Sequence, residues 1–194
     1  MTKSASSFGG RAAFTILELL VVIAIIIALA GLVLATVGYV QKKGARSRAE
    51  AEIAAISAAL ESYKADNGIY PNTTNTNNLD PAAAFDPAKN DLTKYSVATF
   101  DLYAALTGDL NGDRQIGAGE TGKSYMPFKP NQLSPTDQTK PVQYIRDPFG
   151  NCYGYSTAKA SNPGGTAGYN PTFDLWSTAG GTQASDVPGW VKNW

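Results

Sequence analysis

Histidine is absent from this 194-residue chain, and cysteine occurs once, as Cys152. Without histidine there is no imidazole acid or base, no thiol–imidazole pair and no His/Cys metal cluster. A lone cysteine closes no intrachain disulfide. Catalysis through carboxylates survives these exclusions, but no sequence signature for it is present. Charge is scarce, 16% of residues, and balanced at 16 basic and 16 acidic side chains. Nothing in that balance marks nucleic acid as a partner. Proline is missing until Pro71, so nothing before it forbids one continuous helix.

What is present early is an apolar run. Leu19 to Val40 is 22 residues without a charge, about 33 Å as a helix, against a hydrocarbon core of about 30 Å. Glu18 stands at its threshold. A charge there costs a few kcal/mol at depth, so it is a functional candidate that needs a partner. Three readings compete for this end of the chain. A secretory signal peptide would use Lys3 and Arg11 as its basic region and be cut after Ala28-Leu29-Ala30. That leaves Glu18 and the apolar stretch Leu32 to Val40 unexplained. An uncleaved anchor tolerates both but gives Glu18 no purpose. The third reading is a short basic leader removed just before Phe14, leaving the apolar segment on the product.

The run Phe14-Thr15-Ile16-Leu17-Glu18-Leu19-Leu20-Val21-Val22-Ile23-Ala24-Ile25 resembles the N-terminal segment of type IV pilins and type II secretion pseudopilins. The resemblance implies cleavage by a prepilin peptidase between Ala13 and Phe14 and N-methylation of the new amine on Phe14. Ala13 stands where that family usually has glycine. It also implies that Glu18 neutralises the terminus of a neighbouring subunit. Physically this is a registry device: one stagger satisfies both charges, and others strand each in lipid. A product starting at Phe14 carries 14 basic and 16 acidic residues. Four of the bases, Lys42, Lys43, Arg46 and Arg48, follow the span, either to meet anionic headgroups or as a solvated flank.

Beyond the span, Ile53, Ile56, Leu60 and Tyr63 recur at spacings of three, four and three, the stripe of an amphipathic helix. Asn67-Gly68 reads as its C-terminal cap and Pro71 forbids continuation. One helix from Phe14 to Asp66 is expected, weakened at Gly31, Gly38 and Gly44. Pro71 to Asp91 reads as a loop, and Thr99 to Leu106 as a short second helix. Val142 to Arg146, Cys152 to Ser156 and Phe173 to Ser177 are prone to form strands, the first two joined as a hairpin by Asp147-Pro148-Phe149-Gly150-Asn151. The expected fold is α+β and pilin-like: one long N-terminal helix, its first half transmembrane, packed on a small antiparallel sheet. The expected division is leader 1–13, transmembrane and assembly helix 14–40, amphipathic continuation 41–68 and globular domain 69–194. About 125 residues of globular part bury only a small core. The turn 147–151 with Tyr153, then Phe173-Asp174-Leu175-Trp176-Ser177 and the terminal Asn193-Trp194, resemble the C-terminal half of major type II secretion pseudopilins.

One loop carries separate chemistry. Asp109, Asn111, Asp113 and Glu120 occupy the first, third, fifth and twelfth places of an EF-hand-like run, with Gln115 offering its backbone carbonyl and Ile116 expected to point inward. Arg114 stands where glycine is expected for the sharp turn. Calcium is the cation this oxygen set suits; a plain Asp/Gly-rich turn is the alternative. The resemblance implies a calcium site in the loop after the Phe-Asp-Leu strand instead, where Thr178 to Trp190 offers only Asp186.

These readings point to a non-enzymatic filament subunit, most readily the major pseudopilin of a type II secretion system. The resemblance implies a homo-oligomeric filament, minor pseudopilins, an inner-membrane secretion platform and prepilin peptidase as partners. It also implies a single-pass inner-membrane location, with the C-terminal domain in the periplasm or outside the cell. A type IV pilin of an adhesion, motility or DNA-uptake fibre is the sibling alternative. A membrane-anchored calcium-binding or adhesive module is the alternative of a different class, and a carbohydrate enzyme stands last.

Overall fold

A computed structural model describes residues 15–83, 92–117, 119–120, 122–181 and 184–194. The chain divides into two compact units between Gln41 and Lys42. Helix α1, Ile16–Asn67, is 52 residues long. No proline interrupts it, and a Cβ built on Gly31, Gly38 or Gly44 would meet nothing within 4 Å. It ends where the sequence places its cap: Gly68 takes φ +80° and its N–H bonds the Lys64 carbonyl at 2.7 Å.

In the first unit, the large apolar side chains from Ile16 to Val40 are exposed. The helix is long and apolar enough to cross a membrane. That accounts for a greasy surface that water would not tolerate on a soluble domain.

In the second unit, α1 buries Ala45, Ala49, Ile53, Ile56, Ala59 and Leu60. The stripe is longer than Ile53, Ile56, Leu60 and Tyr63 alone, because alanines extend it one turn at a time toward the N-terminus. Against it pack α3 (Leu92–Thr107), through Leu102, Tyr103 and Leu106, together with Tyr153 and the strand residues Tyr155 and Leu175. Full burial of each leucine contributes about 1.5–3 kcal/mol relative to exposure. A second cluster gathers Leu79, Tyr95, Ala98, Trp176 and Trp190.

The small antiparallel sheet and the long apolar helix make the α+β reading correct, with differences in detail. Among the described residues there are two sheets. Strands β1 (Leu133–Ser134) and β2 (Tyr144–Ile145) pair antiparallel. Strands β3 (Gly154–Ser156), β4 (Asp174–Ser177) and β5 (Val191–Lys192) form the other, in that order and antiparallel throughout. The expected hairpin is therefore corrected. The turn exists, since the Asp147 N–H bonds the Asn151 carbonyl at 2.8 Å and Arg146 bridges Cys152. Its arms then part, one pairing with Leu133–Ser134 and the other with Asp174–Ser177.

Two further corrections concern helices. The second helix begins at Leu92 rather than Thr99. The stretch after Pro71 contains a helical turn, α2 (Thr74–Asn77), and a 3-10 turn at Pro81–Ala83. Reciprocal Thr73–Thr76 bonds cap α2, and the buried Thr76 hydroxyl meets that of Thr157 at 2.7 Å. Residues 84–91 of the expected loop lie outside the described residues. A further helical turn, α4 (Ala158–Ser161), follows β3.

Candidate functional site

Glu18 lies in the first turn of α1. Its Oε2 accepts the Thr15 N–H and the Thr15 hydroxyl, both at 2.9 Å, while the Thr15 oxygen accepts the Glu18 N–H at 3.2 Å. This is a capping box: two helix-end donors satisfied reciprocally, with the carboxylate at the positive end of the helix dipole. The sequence reading passed over Thr15, although Thr15-Ile16-Leu17-Glu18 carries the Ser/Thr-x-x-Glu signal. Capping is therefore a complete local role for Glu18 in the single chain. Ala13 and Phe14 lie outside the described residues.

Just past the apolar run, Arg46 pairs with Glu50 at 3.2 Å and donates to the Gly189 carbonyl at 2.6 Å. One of the four bases is thus engaged in holding the C-terminal 3-10 turn Ala184–Gly189.

The loop after α3 folds around its own carboxylates. Buried Asp109 accepts the Gly112 N–H on Oδ1 at 2.7 Å, and on Oδ2 the Arg114 N–H at 2.8 Å and the Tyr103 hydroxyl at 2.7 Å. Burial raises the Tyr103 phenol above its ordinary pKa, so it stays a donor to Asp109. Asn111 Oδ1 accepts the Asp113 N–H, and Asp113 Oδ1 the Gln115 N–H. Glu120 accepts the Leu110 and Asn111 N–H groups on Oε1 and the Gly117 N–H on Oε2. One carboxylate oxygen from each of Asp109, Asp113 and Glu120 lies within 4.8 Å of the others.

Arg114 adopts φ +68°, the left-handed backbone its place demands of glycine. Its side chain shows why that is tolerated: the guanidinium donates to the carbonyls of Pro135 at 2.6 Å and Lys140 at 3.1 Å. Asp109 Oδ2 and Glu120 Oε1 each already accept two hydrogen bonds, so the lone-pair capacity left for a hard cation is on Asp109 Oδ1, Glu120 Oε2 and the Asp113 carboxylate, which accept one each per oxygen. Ile116 is a correction. It is exposed rather than inward, and the buried core is built without it.

Asp186 stands elsewhere, half-buried in the 3-10 turn Ala184–Gly189, and lines an open hollow with Thr178, Gly180 and Ser185. It is not brought together with Asp109, Asp113 and Glu120. Burial pushes the Cys152 thiol up to about 12, which disfavours the thiolate, and the sulfur lies 3.4 Å from the Thr99 hydroxyl.

A curated relative, the type II secretion system core protein G of Pectobacterium carotovorum subsp. carotovorum, is 42% identical to this chain over 60 residues. That is 31% of this chain and 38% of the relative, so the matched part spans well under half the relative's length. No protein-family model matches the chain, and no solved structure matches it. The relative and the long apolar helix together bear out the pseudopilin resemblance read from the N-terminal residues.

Proposed function

We propose that this chain, a relative of type II secretion pseudopilins, is a structural subunit of a pilus-like filament rather than an enzyme. It is held in the inner membrane by the apolar half of α1, with its C-terminal domain on the periplasmic or outer side. Prepilin peptidase removes residues 1–13, and the freed, methylated amine of Phe14 pairs with Glu18 of the next copy. One observation carries this reading: an exposed apolar helix headed by a carboxylate, in a chain similar to core protein G. Lipid solvates such a helix until identical helices replace it, and a staggered, non-closing contact between copies grows into a fibre. Pairing in trans asks Glu18 to exchange its Thr15 partners for a cation, and a charged acceptor favours that exchange in low dielectric. Minor pseudopilins and the secretion platform are the further partners.

The test is whether shearing cells that express the chain with secretion-assembly genes releases thin fibres built from it. A membrane-anchored module would instead remain a monomer in the membrane fraction.

The same reading includes a calcium ion on Asp109, Asn111, Asp113, Glu120 and the Gln115 carbonyl. With no disulfide available, it would tie the loop to α3. Occupancy at a hundred times the dissociation constant stabilises by about 2.7 kcal/mol. Excess chelator is then expected to lower the melting temperature of the full chain in detergent by roughly 5–10 °C. All three tryptophans lie in the second unit, so intrinsic fluorescence reads this melt. Asp109→Asn should abolish the difference, and an unchanged melt in the parent chain would rule the ion out.

A further inference from the structure

A groove of about 320 Å³ runs beside α1 in the second unit, with Ala51 and Ala55 among its lining. Three cations line it from three parts of the chain: Arg48 on α1, Lys129 before β1 and Arg146 after β2. None of the three has a carboxylate within ion-pair distance among the described residues. Arg48 makes one long bond, from Nε to the Gly44 carbonyl at 3.4 Å, and the Arg146 guanidinium lies over Gly150. The two acids of the groove are otherwise engaged. Glu52 accepts the Tyr153 hydroxyl at 2.8 Å, and buried Asp147 accepts the Ser177 hydroxyl and the Phe149 and Asn151 N–H groups.

Three cations converging on one groove, each with donors to spare, make a receptor for an anionic group. Arginines can grip a carboxylate through two parallel bonds. Ala51 and Ala55 give the lining apolar surface for the short methylene stem of an acidic side chain. A lipid headgroup is the less favoured occupant. Two of the groove's three cations, Lys129 and Arg146, come from segments outside α1 and are not among the bases that directly follow the apolar run. Acids outnumber bases, 16 to 14, in a product beginning at Phe14, so each copy has carboxylates to offer.

We propose that the groove formed by Arg48, Lys129 and Arg146 receives an acidic side chain from a second copy of this chain. The proposal rests on the filament reading and adds a contact outside the membrane to the one at Glu18. The experiment assembles full-length chain from an equal mixture of unlabelled and ¹⁵N-labelled copies, then applies a zero-length carbodiimide, which joins lysine amines to adjacent carboxylates. Mass spectrometry of the digest is expected to show mixed-isotope adducts at Lys129 in filaments and none in detergent-dispersed monomer. The double variant R48Q/R146Q should lower filament yield at least tenfold without lowering the melting temperature. Filaments whose Lys129 adducts are absent or confined to one copy would overturn the proposal, whatever the variant does. Parental yield from R48Q/R146Q would overturn it too. So would a preference of the full chain for phosphatidylglycerol over phosphatidylcholine vesicles that the double variant loses, which would assign the groove to the membrane. Failure of the parent chain to polymerise at all would instead sink the filament reading, and this contact with it.

Discussion

Glu18→Ala is expected to leave the chain in the membrane and to abolish its polymerisation. Insertion depends on the 22 uncharged, mostly apolar residues after Glu18, and losing one carboxylate eases it. Assembly is different. Without Glu18, the Phe14 amine of the adjoining copy is stranded in lipid at about 2.5–3.5 kcal/mol. That corresponds to roughly a hundredfold loss in the equilibrium for adding each subunit, compounded along the fibre. The capping box supplies the control. Thr15→Ala removes the cap hydroxyl that bonds the Glu18 N–H and side chain at a cost of about 1 kcal/mol but keeps the charge. Fibre yield should therefore fall little in Thr15→Ala and vanish in Glu18→Ala and Glu18→Gln. Equal loss in Thr15→Ala and Glu18→Ala would reduce Glu18 to a helix cap.

The second large effect is on stability. Gly154→Ala should cripple the folding of the second unit. A Cβ at Gly154 would collide with the Trp176 indole directly across the β3–β4 pair. Trp176 has nowhere to go. It is fully buried, parallel to Trp190 at 6.1 Å, and edge-on to Tyr95 at 5.5 Å and Trp194 at 5.8 Å. Overpacking typically costs about 1–3 kcal/mol and more where neighbours cannot yield. For a small domain that is a large share of a total stability of about 5–15 kcal/mol. We expect the tryptophan melt to drop by more than about 5 °C or to lose cooperativity. Gly44→Ala is the contrast: nothing lies within 4 Å of its Cβ, so helix propensity alone should raise stability by up to about 1 kcal/mol. A Gly154→Ala protein that melts like the parent would mean the β3–β4 contact is looser than the structure places it.

The long helix was legible because its signals agree with one another: no proline, a stripe at Ile53, Ile56 and Leu60, and Asn67-Gly68 before Pro71. Its extension through Ala45 and Ala49 was not, since alanine suits a buried face and an exposed one alike. The two sheets were hidden for a different reason. Strands of two to four residues are too short to show alternation, and β4 is buried at every position. What the arms of the 147–151 turn pair with is decided by distant segments, Leu133–Ser134 and Asp174–Ser177. The loop 109–120 was readable from spacing because its carboxylates are local to one stretch. Arg114 looked unfavourable there until the carbonyls of Pro135 and Lys140, more than 20 residues away, accounted for it. The groove of Arg48, Lys129 and Arg146 left no sequence signal, as its walls come together only in the folded chain.

The lock between Glu18 and a neighbour's terminus requires that Phe14 begin the working chain. Intact mass and N-terminal fragmentation of the protein in the sheared fibre fraction measure this directly. The expected result is a chain starting at Phe14 with one added methyl on its amine. A chain that keeps Met1 has no free amine at Phe14 to pair with Glu18, and one that starts at Gly31 has lost Glu18 itself, so either result contradicts the filament mechanism.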